Sequence, residues 1–208
     1  MSWYDIFSKF YDLGVESVYR DYRPKIADAL RLEPGAAVLV PACGTGQDFA
    51  SLVERVGPEG VIVGVDLSEG MLARARARVQ KNGWENVILL RRDVSVMDAA
   101  EIRQLLGDRD RFDGLLFTLA LTVVPDWEAV FEAAFELLEP GGRCAVFDIW
   151  AESWVPQTSY IKLIARADPY RQTWAPLERL AADFTKEELP GSPHVHGGTP
   201  ILAAGRRP

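Results

Sequence analysis

The sequence predicts an α/β fold in which a doubly wound, mostly parallel sheet carries helices on both faces. Five apolar runs, at residues 37–40, 61–65, 87–90, 112–119 and 144–149, are near-continuous rather than alternating, which is the pattern of strands buried on both sides. Segments between them repeat apolar residues at helical spacing. The chain has 208 residues and 48% hydrophobic content, enough for one well-buried core and hardly for two, so a single domain over 1–208 is expected. Strands alternating with helices imply right-handed βαβ crossovers and parallel pairing. Such sheets bind ligands beyond the carboxyl ends of their strands, at the topological switch point.

Taken in order, the N-terminal segment is unusually aromatic, and Trp3, Phe7, Phe10, Tyr11, Val15, Val18 and Tyr22 fit one helical face. That face either packs on the sheet or contacts a lipid surface, although a polar side of mixed charge suits an anionic membrane poorly. After the first strand, Phe49, Leu52, Val53 and Val56 recur at helical intervals until Gly57-Pro58 stops them. Met71, Leu72, Ala75 and Val79 do the same, with Ser68 as N-cap, Arg74, Arg76 and Arg78 outward, and Asn82-Gly83 as the stop. Asp126 opens a third helix along Val130, Phe131, Ala134, Leu137 and Leu138. Beyond Asp148 a helical stretch is expected to about Ala182, then a turn at Pro190-Gly191-Ser192-Pro193 and a last strand over 201–204. Trp150, Trp154, Tyr160 and Tyr170 are read as core, with a substrate-pocket lining as the alternative.

The run Val38-Leu39-Val40-Pro41-Ala42-Cys43-Gly44-Thr45-Gly46-Gln47-Asp48-Phe49 describes a nucleoside pocket, because an apolar strand leads into a small-residue turn and the next two strands end in Asp66 and Asp93. A dinucleotide fingerprint needs a third glycine where Phe49 stands, which disfavours NAD and FAD. A P-loop needs Gly-Lys-Ser/Thr where Gln47-Asp48 stands, which disfavours ATP and GTP.

A net charge of −7 argues against nucleic-acid partners, which call for basic surface. The longest apolar stretch, residues 115–124, is well short of the ~20 that span a bilayer, and no leader pattern opens the chain, so a cytoplasmic protein is expected. There are two cysteines, with neither zinc nor redox spacing. Cys43 reads as a small apolar residue more readily than as a reactive thiol. His194 and His196 read as a surface strand or hairpin, because no third metal ligand stands near them; no metal is expected.

Together these residues resemble the class I methyltransferases that use S-adenosylmethionine. Residues 38–49 look like the glycine-rich first motif of that family, Ile62-Val63-Gly64-Val65-Asp66-Leu67-Ser68 like its ribose-binding strand, and Leu90-Arg91-Arg92-Asp93-Val94 like its adenine-binding segment. Leu138-Glu139-Pro140-Gly141-Gly142-Arg143 is similar to the turn before its fifth strand. The resemblance implies a seven-stranded Rossmann-like sheet ending in an antiparallel hairpin, and S-adenosylmethionine as cofactor. It implies a partition into an N-terminal lid (1–35), a cofactor core (36–149) and a substrate side (150–208).

Phe10-Tyr11-Asp12 is similar to an element of the ubiquinone and menaquinone enzymes of this family, which makes Tyr11 the expected lid contact. Gly44 and Gly46 would let the cofactor lie against backbone, with Ala42, Cys43 and Thr45 completing the turn. Asp66 would take the ribose hydroxyls, Asp93 the adenine amine and Val94 a backbone contact. Leu67 and Met71 would wall the ring, and Thr118 falls at the same edge. Two positions depart from the family: Val40 and Ala42 stand where an acidic residue and a glycine are usual. Either Asp48 takes over part of the acid's role or cofactor binding is weakened, and Ala42 is a milder change, costly only if its backbone needs positive φ.

The implied acceptor is a small molecule, namely an amine, a quinone-like ring or a lipid headgroup. The Val-Pro-x-Cys-Gly turn also occurs in thiopurine and thiol methyltransferases, which leaves a thiol acceptor as the alternative, and a non-catalytic binding protein as a third. No catalytic base is assigned; Asp148 and the two histidines are the candidates. Monomer and homodimer are both compatible with the sequence.

Overall fold

The computed structural model describes residues 18–208, so Tyr11 and the aromatic segment before it lie outside the described residues. Seven strands form one sheet in the order β3-β2-β1-β4-β5-β7-β6: β1 Ala37–Pro41, β2 Val61–Asp66, β3 Val87–Arg91, β4 Phe112–Thr118, β5 Leu138–Trp150, β6 Ala182–Glu188 and β7 Thr199–Arg206. The first five pair in parallel, whereas β7 runs against both β5 and β6. The chain winds outward from β1 to β3 on one side and then from β4 to β5 on the other. The switch point therefore lies between β1 and β4.

Alternate residues of each strand feed two apolar layers. Leu39, Val63, Val65, Leu115, Phe117 and Val146 face one layer, with Ile102 of α4 (Ala99–Leu106), Phe131 of α5 (Trp127–Phe135) and Leu177 of α7 (Ala175–Leu180). Val38, Val40, Ile62, Leu116 and Phe147 face the other, with Ile26 of α1 (Arg23–Ala29), Leu52 of α2 (Phe49–Val56) and Leu72 of α3 (Glu69–Asn82). Both faces being covered is the reason the strands read as continuous apolar runs. The Ser68 hydroxyl accepts from Met71 N at 3.2 Å and Gly83 closes α3 at φ +66°, as their residue types led one to expect.

Several elements differ from expectation. The helix opened by Asp126 stops at Phe135, and the Asp126 side chain makes no cap bond. Leu138 instead pairs with Phe112 as the first residue of β5, and residues 139–142 loop out before Arg143 pairs with Gly114. Gly142 permits that loop: a Cβ there would press on three carbonyl oxygens at 3.0–3.2 Å. The stretch after Asp148 is not one helix but α6 (Pro156–Ile164), α7 and then the edge strand β6. Its sequence, Ala-Asp-Phe-Thr-Lys-Glu-Glu, carries no apolar run because the strand is largely exposed. Residues 193–196 form a helical turn, α8 (Pro193–His196), capped by Ser192, rather than the extended segment expected around the two histidines.

Candidate functional site

A cavity of about 630 Å³ opens along the carboxyl ends of the parallel strands. It begins beyond β3 at Arg92, Asp93 and Val94, crosses Asp66, Leu67 and Met71 after β2, meets the turn after β1, and continues past Thr118 and Thr122 to Asp148 and Ile149 of β5. Ile161 of α6, with Ala165, Ala167 and Pro169 behind it, closes the far side. The sheet thus gathers sequence-distant residues at one edge, as the βαβ winding requires.

The turn is held by backbone and by Asp66. Cys43 N donates to Val65 O at 3.0 Å, and Gly46 N to Cys43 O at 3.0 Å. Gly44 N donates to Asp66 Oδ2 at 2.9 Å, and Ser68 N to Asp66 Oδ1 at 2.8 Å. Asp66 therefore ties the turn to the start of α3 and lines the cavity. Asp93 accepts from Ser95 N at 3.0 Å and from Ser95 Oγ at 2.7 Å, capping the 3₁₀ turn Val94–Val96. It is a cap and a cavity wall at once. Arg78 of α3 does not point outward as expected: its Nε donates to Thr45 O at 3.1 Å and pins the turn from outside.

Two expectations about the turn need correction. Ala42 sits at φ +48°, in the left-handed region, so alanine is not the mild replacement for glycine that it would be elsewhere. The cost is about 1–2 kcal/mol. Gly46, at φ +73°, does not line the cavity. A Cβ there would collide with the Phe49 ring, and one at Gly64 would meet the same ring at 2.8 Å and Cys43 Sγ at 3.0 Å. Phe49 is fully buried over these two glycines, in the space a third glycine would leave open. Gly46→Ala should therefore lower stability by about 2–4 kcal/mol, from left-handed strain and overpacking, read as a fall in the denaturant midpoint with unchanged slope.

Gly44, by contrast, has no atom within 4 Å of where its Cβ would stand. Cys43 is buried, and burial, reinforced by the charges of Asp66 and Asp48, raises its thiol pKa well above the usual range. A raised pKa keeps the thiol protonated, which fits a packing residue better than a nucleophile. Ala42, Cys43, Gly44, Thr45, Asp66, Leu67, Met71, Asp93, Val94 and Thr118 all line the cavity. Thr118 does so with a buried hydroxyl that has no hydrogen-bond partner.

Sequence reasoning missed Arg23 and Tyr19, which reach the cavity from the helical segment before β1. Arg23 pairs with Asp48, and its other terminal nitrogen donates to Gln47 Oε1. No local pattern reveals a contact across 25 positions. Trp150, Trp154, Tyr160 and Tyr170 are not cavity-lining. Trp150 packs edge-on to Trp174, and Trp154 and Tyr160 are exposed. His196 is buried beside Tyr19 and Tyr22 and does not itself line the cavity.

Asp148 is the most constrained charged group of the site. It is buried, and Thr122 donates to it twice, from N to Oδ2 at 3.2 Å and from Oγ1 to Oδ1 at 2.9 Å. Burial outweighs these bonds and pushes its pKa up to about 7. Among the described residues there is no metal-binding cluster of His, Cys, Asp and Glu, and no helix long and apolar enough to cross a membrane.

Comparison with known proteins agrees with this geometry. Residues 32–189 match the family model described as "Methyltransferase domain". A demethylmenaquinone methyltransferase of Listeria welshimeri is 30% identical over 127 residues, 61% of this chain and 50% of that protein. An arsenite methyltransferase of Halobacterium salinarum is 29% identical over 118 residues, 57% of this chain and 28% of that protein. The chain thus spans half or less of the length of these curated relatives. Among solved structures, a SAM-dependent methyltransferase of Aquifex aeolicus superposes with a TM-score of 0.65 at 18% identity, covering 97% of this chain and 98% of that one. A phosphoethanolamine N-methyltransferase of Haemonchus contortus, in complex with S-adenosyl-L-methionine, superposes with a TM-score of 0.71 at 14% identity, covering 97% and 60%. At these identities the structural matches speak for the fold.

Proposed function

The chain belongs to the methyltransferase-domain family matched over residues 32–189, and from that premise we propose that it moves a methyl group from S-adenosylmethionine to a small molecule. The observation that carries the reading is a largely apolar cavity that runs from Asp93 and Asp66 past the 42–45 turn to the ends of β4 and β5, where an acceptor would sit. The donor set fits the cofactor. Asp66 and Asp93 are carboxylate acceptors suited to ribose hydroxyls and an exocyclic amine, and Gly44 leaves open space. Bound there, S-adenosylmethionine supplies an activated methyl whose bond to sulfur breaks as the bond to the acceptor forms, the electron pair returning to sulfur.

The chain's own work is positioning and, for an acceptor that carries a proton, removing it. Asp148 lies in the acceptor compartment with Thr122 fixing both its oxygens, and we assign it as the group that takes this proton and returns it to water. Amines, quinol-like rings and lipid headgroups suit the compartment, and the relatives' names include a demethylmenaquinone and a phosphoethanolamine enzyme. Residues 36–149 supply the nucleoside contacts, Tyr19 and Arg23 close the cavity from the N-terminal side, and the segment after β5 shapes the acceptor end.

The test is calorimetric titration with S-adenosylmethionine and with its demethylated product, followed by a methyl-uptake screen of amines, quinols and thiols. Micromolar binding is the expected result. Uptake by thiols alone would move the assignment to a thiol methyltransferase. Absence of binding to either compound would make the fold a non-catalytic binding module.

A further inference from the structure

We infer that the buried Arg23–Asp48 pair is the subsite for the amino-acid end of the cofactor, with the guanidinium taking the α-carboxylate and Asp48 the α-ammonium; the inference rests on the cofactor reading above. Both residues line the cavity and each is only 7% exposed. A buried ion pair contributes little net stability, because desolvation of the two charges offsets their attraction. Its presence in a cavity wall calls for another reason. Arg23 offers five N–H donors and is engaged with Asp48 through Nη1 and Gln47 through Nη2, while its buried Nε has no hydrogen-bond partner. Nε is too buried to meet a ligand, but Nη1 and Nη2 each carry a second N–H beyond these two bonds.

The location fits. With a nucleoside across Asp93 beyond β3 and Asp66 at the end of β2, the rest of the molecule arrives at the next strand in the sheet, β1, whose turn ends in Gln47 and Asp48. Val40, at the position where the resembled family carries an acid, is 2% exposed within the apolar layer and does not line the cavity. An acid there would be buried within that apolar layer. The charge for the ammonium has moved to Asp48, and Arg23 keeps that charge neutral before the ligand comes. A neutral ion pair is matched by a neutral zwitterion, each end meeting its opposite.

The test compares two probes, S-adenosylhomocysteine and 5′-methylthioadenosine, which share the adenosine and the thioether and differ in the amino-acid end. Affinities are measured by calorimetry for the wild type, Arg23→Met, Arg23→Lys and Asp48→Asn, with thermal melts confirming that each is folded. The wild type should prefer S-adenosylhomocysteine by at least tenfold. Arg23→Met and Asp48→Asn should shrink that preference several-fold while changing methylthioadenosine affinity less than threefold, and Arg23→Lys should recover part of it. Should Arg23→Met fail to fold, the isosteric Asp48→Asn reads the same ratio. An unchanged ratio, or equal losses for both probes, overturns the subsite and leaves the cofactor reading standing. A wild type that binds neither probe overturns the cofactor reading, and the subsite with it.

Discussion

Asp66→Ala is expected to weaken S-adenosylmethionine binding by about 100-fold or more. Two hydrogen bonds from ribose hydroxyls to a charged acceptor contribute about 1.5–3 kcal/mol each, and every 1.4 kcal/mol is a factor of ten. The side chain also accepts from Gly44 N and Ser68 N, so its removal loosens the turn itself. Leaving these donors without their acceptor costs about 1–3 kcal/mol of stability. Asp66→Asn separates the two effects, since one amide oxygen keeps an acceptor for the backbone but lacks the second oxygen and the charge. Its melting temperature should lie between wild type and Asp66→Ala, with affinity still well below wild type. A folded Asp66→Ala protein that binds the cofactor with wild-type affinity would remove the ribose role altogether.

Asp148→Asn is expected to lower turnover by about 10²–10⁴ for any acceptor that must lose a proton, which is the usual contribution of a positioned base. In the wild type the rate should climb as pH rises through about 7, where the carboxylate form takes over, and the variant should lack that limb. Burial raises the group, opposed by hydrogen bonds from Thr122, Ile149 and Leu121. The charged groups on the adjoining segment are Asp168 and Arg171, which face each other at 3.6 Å and are not among the causes of the shift.

The same shift has a stability signature that needs no acceptor. Between the ordinary carboxyl value of 3.8 and about 7 the folded chain holds a proton that the unfolded chain has released. The stabilisation is complete at pH below about 4 and is lost progressively as pH rises to about 7, by at most about 4 kcal/mol. Denaturant melts at pH 4.5 and 7.5 should differ on this account in the wild type and much less in Asp148→Asn. A variant with wild-type rates and pH profile would reduce Asp148 to an anchor for residues 121–122.

The parts of the fold that sequence made legible are those where one physical demand dominates. Strands covered on both faces must be apolar throughout, so β1 to β5 stood out, and Ser68 and Gly83 marked α3 because a cap and a left-handed residue each favour few side chains. β6 was invisible because an exposed edge strand answers to water and to protection of its backbone rather than to a core, and Lys186, Glu187 and Glu188 serve both. α4 was missed as a short helix between loops. At the site, the residues that follow successive strands were legible from topology alone. Arg23, Tyr19 and Thr122 were not, since they enter through packing of one layer against another. Gly46 misled because a glycine in a turn is commonly credited to the ligand, whereas here it serves Phe49.

That wedge of Phe49 over Gly46 and Gly64 also bears on how this turn can change over generations. Phosphate-bearing cofactors need bare backbone and a helix packed close to the strand, and here an internal ring already occupies that approach. Phe49→Gly would not open a phosphate site; it would leave a hole in the apolar layer, at a cost of several kcal/mol. The neighbours would have to be rebuilt together before any gain appeared, so selection sees a valley on every single-step path. The far end of the cavity is free to vary by single substitutions, while the wedged turn resists conversion to a phosphate site.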